Sequence, residues 1–339
     1  MATVVTADLV TDLASPPDVT QSFFHRVMLE RAQYRNLFAR WARVYGLPRN
    51  AGRNIVLRRY THLAAQISAL TEGVPPSGKT PALDDFTANL AQYGDFIAIS
   101  DFARFTQQDP ILTEWTELLG EQAGYSVDMI KRNVADAGTT VVYSNGTART
   151  DVTTVLDPND LDRAVRTLMN NGAQTYLAGN DGSTTVGSAP TMPAFPCVVH
   201  PFTYFTIQNF GTKFRSAEQY RGATEQEYGR YGMLAFFVAH DADGLGAGSR
   251  VRAAAGGASV AVRNTGGTAD VYESMVFARD GFSSVNLDGV SMRTYMKPVG
   301  SAGSLDPLDQ VGTIGWKTTT TQLITNQAWV LRLEHAAEL

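Results

Sequence analysis

The residues from Gly73 to Thr80, GVPPSGKT, match the phosphate-binding pattern G-x-x-x-x-G-K-[ST] letter for letter. In that pattern loop amides and a helix N-terminus wrap the phosphates. The lysine, here Lys79, reaches the outer phosphates, and the Thr80 hydroxyl would hold magnesium. The chemistry requires a helix that starts inside the motif and runs on past it. Pro81 follows Thr80 directly, and a residue before proline is pushed out of the helical region. Pro75 and Pro76 remove two amide donors from the cradle. Phe96–Asp101 could mimic the metal-binding strand, but it follows too closely to leave room for a crossover. These residues are therefore expected to form a loop excursion, with a nucleotide-binding enzyme as the alternative.

Other chemistry is sparse. Asp241, Asp243 and Gly244 resemble a fragment of a calcium loop that lacks its third early ligand and its distal glutamate, so a turn is expected. The histidines (His25, His62, His200, His240, His335) are scattered and never take metal-binding spacing. His200, before Pro201, is expected to be an ordinary strand-end residue. Cys197 is the only cysteine, which excludes an intrachain disulfide and a cysteine-based zinc site. It lies in an apolar run, where a thiol behaves as a small hydrophobe. No G-x-S-x-G elbow or catalytic carboxylate pair stands out. The expectation is a structural protein without enzymatic activity or cofactor.

Composition fits a folded chain: 44% hydrophobic and 18% charged over 339 residues can bury a core. Residues 1–22 carry neither a basic start nor an apolar run, and no stretch is long enough to span a membrane. A reduced, cytoplasmically made chain is expected. The charge is unevenly placed. Residues 21–60 hold nine arginines and one acid, Glu30, a segment charge of +8 that leaves −13 for the rest of a chain whose total is −5. A basic arm facing a polyanion and an arginine-rich face paired with its neighbours are both compatible with this.

The elements that would position these residues follow from periodicity. Residues 1–18 are polar and read as an extended arm. Phe23, Val27, Tyr34, Leu37, Phe38, Trp41 and Tyr45 recur at three- and four-residue steps, which predicts a helix from about Thr20 to Tyr45 with arginines on its other arc. Asn54–Tyr60 is expected to lead away as a strand and Asp95–Ser100 to return. The proline-rich stretch between them is long for a compact domain, and its return limb, Phe86 to Tyr93, roughly alternates in polarity, which suggests a projecting two-stranded excursion. Asp109 and Pro110 start a long helix that Gly138 stops, and Asp157 and Pro158 start another that ends near Gly172. Ala194–His200 and Gly229–Ala239 read as buried strands, with a short helix after Pro201. Val271–Arg279, Val290–Pro298 and Ala328–Glu334 are further strands. Strand and helix blocks without βαβ alternation give an α+β class.

Four blocks carry a family resemblance. They are Leu70–Pro75 with Tyr93, Gly94 and the strand to Asp101; the helix from Asp109; Phe195–Pro201 (FPCVVHP); and Asp306–Gln310 with Gly312–Lys317. Together they resemble the phage N4-type major capsid protein family of the HK97-like fold, over nearly the whole chain. The resemblance implies an N-terminal arm and basic helix (1–52), an extended β-hairpin loop (53–101) and a peripheral domain with a spine helix (102–150). It further implies an axial domain (151–270) and strands returning to both domains (271–339). Subunits of this family form hexamers and pentamers of an icosahedral head around double-stranded DNA.

The implied localisation is the virion, with the chain made in the host bacterial cytoplasm. The implied partners are the protein itself, packaged DNA bound without sequence preference, and scaffolding, portal and decoration proteins; no membrane is implied. Glu72, Gly73, Pro75, Pro76, Lys79, Tyr93 and Gly94 would belong to the intersubunit loop. Arg26, Arg31, Arg35, Arg40 and Arg43 would face DNA or the interior. Some shells of this fold cross-link lysine to asparagine, and Lys79 is placed for that. The rivals are the nucleotide-binding enzyme, a portal or tail-tube subunit, and a nanocompartment shell.

Overall fold

A computed structural model describes residues 26–28, 37–61, 63–70, 72–73, 75, 78–102, 111–179, 190–220, 222–239, 252–288, 292–301 and 306–338. The first two strands are β1 (Arg43–Leu47) and β2 (Asn54–Tyr60), followed by β3 (Leu83–Asn89) and β4 (Ala91–Ser100). The long helix α1 (Ile111–Asp136) leads to β5 (Thr140–Tyr143), α2 (Pro158–Asn170), β6 (Phe195–Val199) and α3 (Pro201–Gln208). Then come β7 (Phe214–Ser216), β8 (Glu227–Tyr231), β9 (Leu234–Val238), β10 (Arg252–Ala258) and β11 (Asn264–Thr265). The chain closes with β12 (Thr268–Phe277), β13 (Phe282–Leu287), β14 (Arg293–Lys297), β15 (Val311–Ile324) and β16 (Val330–Ala336).

These strands build two main sheets and one separate hairpin. The nine-stranded sheet runs β5-β16-β12-β6-β9-β8-β7, with β10 and β11 also on β12. Its central strands are apolar on both sides because both faces are covered. Phe195, Cys197 and Val199 of β6 and Leu234, Phe236 and Val238 of β9 pack under Leu161, Ala164 and Leu168 of α2. The alternate residues Val198, Ala235 and Phe237 pack instead against Leu37, Phe38, Trp41 and Ala135. Pro158 opens α2, and the Asp160 carboxylate accepts from Asp157 N (3.2 Å), which ties down the first turn. His200 caps α3, its Nδ1 accepting from Phe202 N at 3.2 Å.

The five-stranded sheet is organised by β15. Its Val311–Thr320 stretch pairs with β4 on one side. Its other side takes β14 and then β13, and β13 pairs in parallel with β1. The 26 residues of α1, about 39 Å at 1.5 Å per residue, lie on this sheet. Leu119 and Ala123 meet Ile99, Ile314 and Trp316 there, with Met28 beside them. Gly120 lets the Met28 backbone in: a Cβ would stand 2.7 Å from its carbonyl oxygen.

Two expectations need correction. The helix to Tyr45 does not run that far. Arg26–Met28 are helical, but Phe38–Trp41 form a 3₁₀ turn and Arg43–Leu47 a strand. The buried Asp128 carboxylate takes the Leu37 and Phe38 amides at 2.9 and 2.8 Å, and Val44–Leu47 then pair with β13. Pairing in the sheet thus overrides the three–four periodicity, while Leu37, Phe38 and Trp41 still reach the core. Second, Asp95–Ser100 does not pair with Asn54–Tyr60. The partner of β2 is β3, and β4 belongs to the five-stranded sheet. As the prolines lead one to expect, no helix follows Thr80: the chain stays irregular until β3. The arm at 1–18, the Asp109–Pro110 start, the Asp241–Gly244 turn and His25, His62 and His240 lie outside the described residues.

Candidate intersubunit surfaces

The β2–β3 hairpin is a separate two-stranded sheet, in register from Asn54 opposite Asn89 to Tyr60 opposite Leu83. Its base is anchored. Ile55, Ala88 and Leu90 pack with Leu47 and Val285. Arg59 donates to the Thr325 carbonyl at 2.9 Å and to Asp84 at 2.7 Å, and Arg58 pairs with Asp85 at 3.3 Å. Beyond the base, apolar side chains stand largely exposed: Tyr60 66%, Leu63 56%, Ile67 93% and Leu70 71%. A lone hairpin with unpaired edges is marginal in water, and a run of exposed apolar residues marks an interaction surface. The carbonyl and amide edges of such a ribbon invite a neighbour.

The structure separates the residues expected in this loop. Glu72 and Gly73 form a turn, with Gly73 in the left-handed region at φ 79. Pro75 lies on the same loop, and Pro76 is outside the described residues. Lys79 Nζ donates to the Ala64 carbonyl at 2.7 Å, so it ties the two limbs together. Tyr93 and Gly94 sit on β4 opposite Thr318 and Lys317, away from the loop. A Cβ on Gly94 would stand 2.5 Å from the Trp316 carbonyl oxygen, which explains a glycine there. Among the described residues no three histidine, cysteine or acidic side chains are grouped to hold a metal, and no helix is long and apolar enough to cross a membrane.

The basic residues do not share one helix face. Arg26 is exposed on its helical turn, and Arg31 and Arg35 lie outside the described residues. Arg40 bonds the Glu225 carbonyl at 2.7 Å and its carboxylate at 3.2 Å. Arg43 stands on β1, 3.2 Å from Asp280. The charges of Arg40 and Arg43 are thus answered within the chain. A cleft of about 380 Å³ lined by Arg43, Arg58, Arg59, Tyr60, Asp280 and Trp329 separates the hairpin base from the nine-stranded sheet.

A buried ionic cluster joins the end of α1 to that sheet. Glu334 accepts from both arms of Arg149 (2.8 Å each), and Arg332 Nε forms an ion pair with it at 2.8 Å. Arg332 also reaches Asp136 at 2.6 Å, and Arg149 lies 3.2 Å from Glu273. Burial pushes the Glu273 carboxyl up to about 7, and the neighbouring Asp136 adds to this. Elsewhere, burial raises the Cys197 thiol and lowers His335 to about 4, which fits inert core groups. Lys131 is also lowered by burial, partly offset by Asp128.

Sequence reasoning placed the excursion but missed its exposed apolar residues and this cluster. The apolar residues carry no periodicity, so their signal was only that the loop has nothing beneath which to bury them. The members of the cluster are spread from Asp136 to Glu334 in sequence.

No protein-family description and no curated protein matches this sequence. Solved structures do match in fold. The capsid of Ralstonia phage GP4 superposes with a TM-score of 0.61 at 11% identity, over 88% of this chain and 87% of that one. The capsid of cyanophage P-SCSP1u gives 0.57 at 13% identity, over 89% of each chain. The head of Helicobacter pylori bacteriophage KHP40 gives 0.56 at 9%, over 88% and 87%. This chain has the HK97-like fold of mixed helices and strands.

Proposed function

We propose that this chain is the major capsid protein of a tailed bacteriophage, a subunit without enzymatic activity that assembles as hexamers and pentamers into an icosahedral head. The observation that carries this is the exposure of Tyr60, Leu63, Ile67 and Leu70 on a hairpin and its loop whose strands pair with neither main sheet. Such a hairpin gains its missing partners when laid over an adjacent copy. The fold shared with phage capsids supports the same conclusion. The C-terminal block Asp306–Lys317 favours the N4-type family.

In this reading the five-stranded sheet with α1 is the peripheral domain and the nine-stranded sheet the axial domain. The head encloses double-stranded DNA, with Arg26 a better candidate for phosphate contact than Arg40 or Arg43, which already hold acids. The protein is made in the host cytoplasm and carried in the virion, where scaffolding, portal and decoration proteins are its further partners. The P-loop alternative loses support because the chain after Thr80 leads to a strand.

Expression followed by negative-stain electron microscopy and a sizing column tests this. Closed shells, or rings of five or six, are expected. Open tubes would point to a tail-tube subunit, and a monomer that binds ATP through Lys79 would refute the proposal.

A further inference from the structure

The five-stranded sheet has one covered face and one bare face. Ile97, Ile99, Ile314, Trp316 and Met296 point to α1. Their alternate neighbours point away from it. The register sets Phe96 of β4, Gly315 of β15 and Tyr295 of β14 in one row, with Gly94, Lys317 and Arg293 in the next. Phe96 is 65% exposed and Tyr295 48%, and with Gly315 between them they bound an open hollow of about 430 Å³. Arg293, Lys297 and Lys317 are exposed on this face, and none has an acidic partner among the described residues. β14 is the outer strand, with no neighbour on its far side among the described residues. The chain thus presents a cationic, aromatic face with an open strand edge.

One segment of the same chain has the complementary composition. Residues 1–20 contain Asp8, Asp12 and Asp18 and no basic side chain, with Val4, Val5, Leu9, Val10 and Leu13 among β-favouring threonines. The path to it starts at the right place. Met28 Sδ accepts from the Thr294 hydroxyl at 3.3 Å, and Thr294 lies between Arg293 and Tyr295 on β14. The residues from Arg26 back to Thr20 can reach about 20 Å when extended. The bare face is only one sheet thickness away, on the order of 10 Å.

We propose that residues 1–20 dock here by adding a strand at the open edge of β14, with their aspartates on Arg293, Lys297 and Lys317 and their apolar side chains beside Tyr295. Backbone bonds along β14 supply affinity, and the three charge pairs fix the position. The assignment concerns the arm and its own subunit and does not depend on the shell reading.

Hydrogen–deuterium exchange on the full chain, read at residues 293–297, tests it. Replacing Asp8, Asp12 and Asp18 together by lysine should speed exchange there on the order of tenfold. Adding Arg293→Glu, Lys297→Glu and Lys317→Glu to that variant should restore protection. Exchange in β6 and β9 must stay unchanged. If it does not, Asp→Asn replacements remove the charge without reversing it. Equal exchange at 293–297 with either arm would overturn the proposal. So would protection of that segment by short double-stranded DNA alone, which would assign the face to nucleic acid.

Discussion

Glu273→Gln is expected to stabilise the subunit at neutral and higher pH and to do nothing in acid. Arg149 and Arg332, with Arg132 near enough to act on Glu273, face three carboxylates, Glu273, Glu334 and Asp136, in a site where Glu273 is 1% and Glu334 0% exposed. Glu334 claims both arms of Arg149, so the 3.2 Å contact to Glu273 is the weaker one. Burial and Asp136 therefore win, and Glu273 keeps a proton up to about pH 7.

Its unfolded value is near 4.5. Below that pH both states are protonated and the group is neutral to stability. Between about 4.5 and 7 the unfolded chain ionises first, so stability falls as pH rises, and above 7 the full penalty remains. A gap of this size corresponds to on the order of 3 kcal/mol, an upper bound for so coupled a cluster. Glutamine has the shape of the protonated acid and can still donate to Asp136. Urea unfolding of dissociated subunits at pH 4, 6 and 8, followed by tryptophan fluorescence, measures this. Equal stability at pH 4 and a gain at pH 8 are expected. A loss of about 1 kcal/mol or more at pH 8 would mean Glu273 is ionised against Arg149 and would refute the argument.

Three further outcomes follow from particular contacts. Asp128→Ala removes the acceptor for two buried amides and should cost about 3 kcal/mol in urea unfolding, while Asp128→Asn keeps an acceptor and should cost less. Gly94→Ala puts a Cβ against the Trp316 carbonyl and should lower stability by about 1–3 kcal/mol, read as a shifted melting temperature. Ile67→Ser with Leu70→Ser should leave subunit stability within about 0.5 kcal/mol yet abolish assembly in the sizing assay, because both side chains are exposed in the lone chain.

The sequence by itself determined the elements whose signals are local. Asp157 and Pro158 start α2, a short helix, α3, follows at Pro201, and the apolar runs at Phe195–Val199 and Leu234–Val238 are buried strands. It also determined that a proline-rich excursion follows β2 and that the letter match at Gly73–Thr80 lacks its helix, since proline geometry is a property of neighbouring residues.

Only the tertiary structure decided what depends on distant partners. The Leu37–Tyr45 stretch has helical spacing, yet Asp128 and β13, remote in sequence, turn it into a 3₁₀ turn and a strand. Asp95–Ser100 could have paired with either limb, and the 14-residue β15 took it. The charge count of residues 21–60 could not reveal that Glu225 and Asp280 answer Arg40 and Arg43. Local backbone preferences amount to a few tenths of a kcal/mol per residue, whereas sheet pairing and buried charge act in whole kcal/mol and are set by residues that meet only after folding.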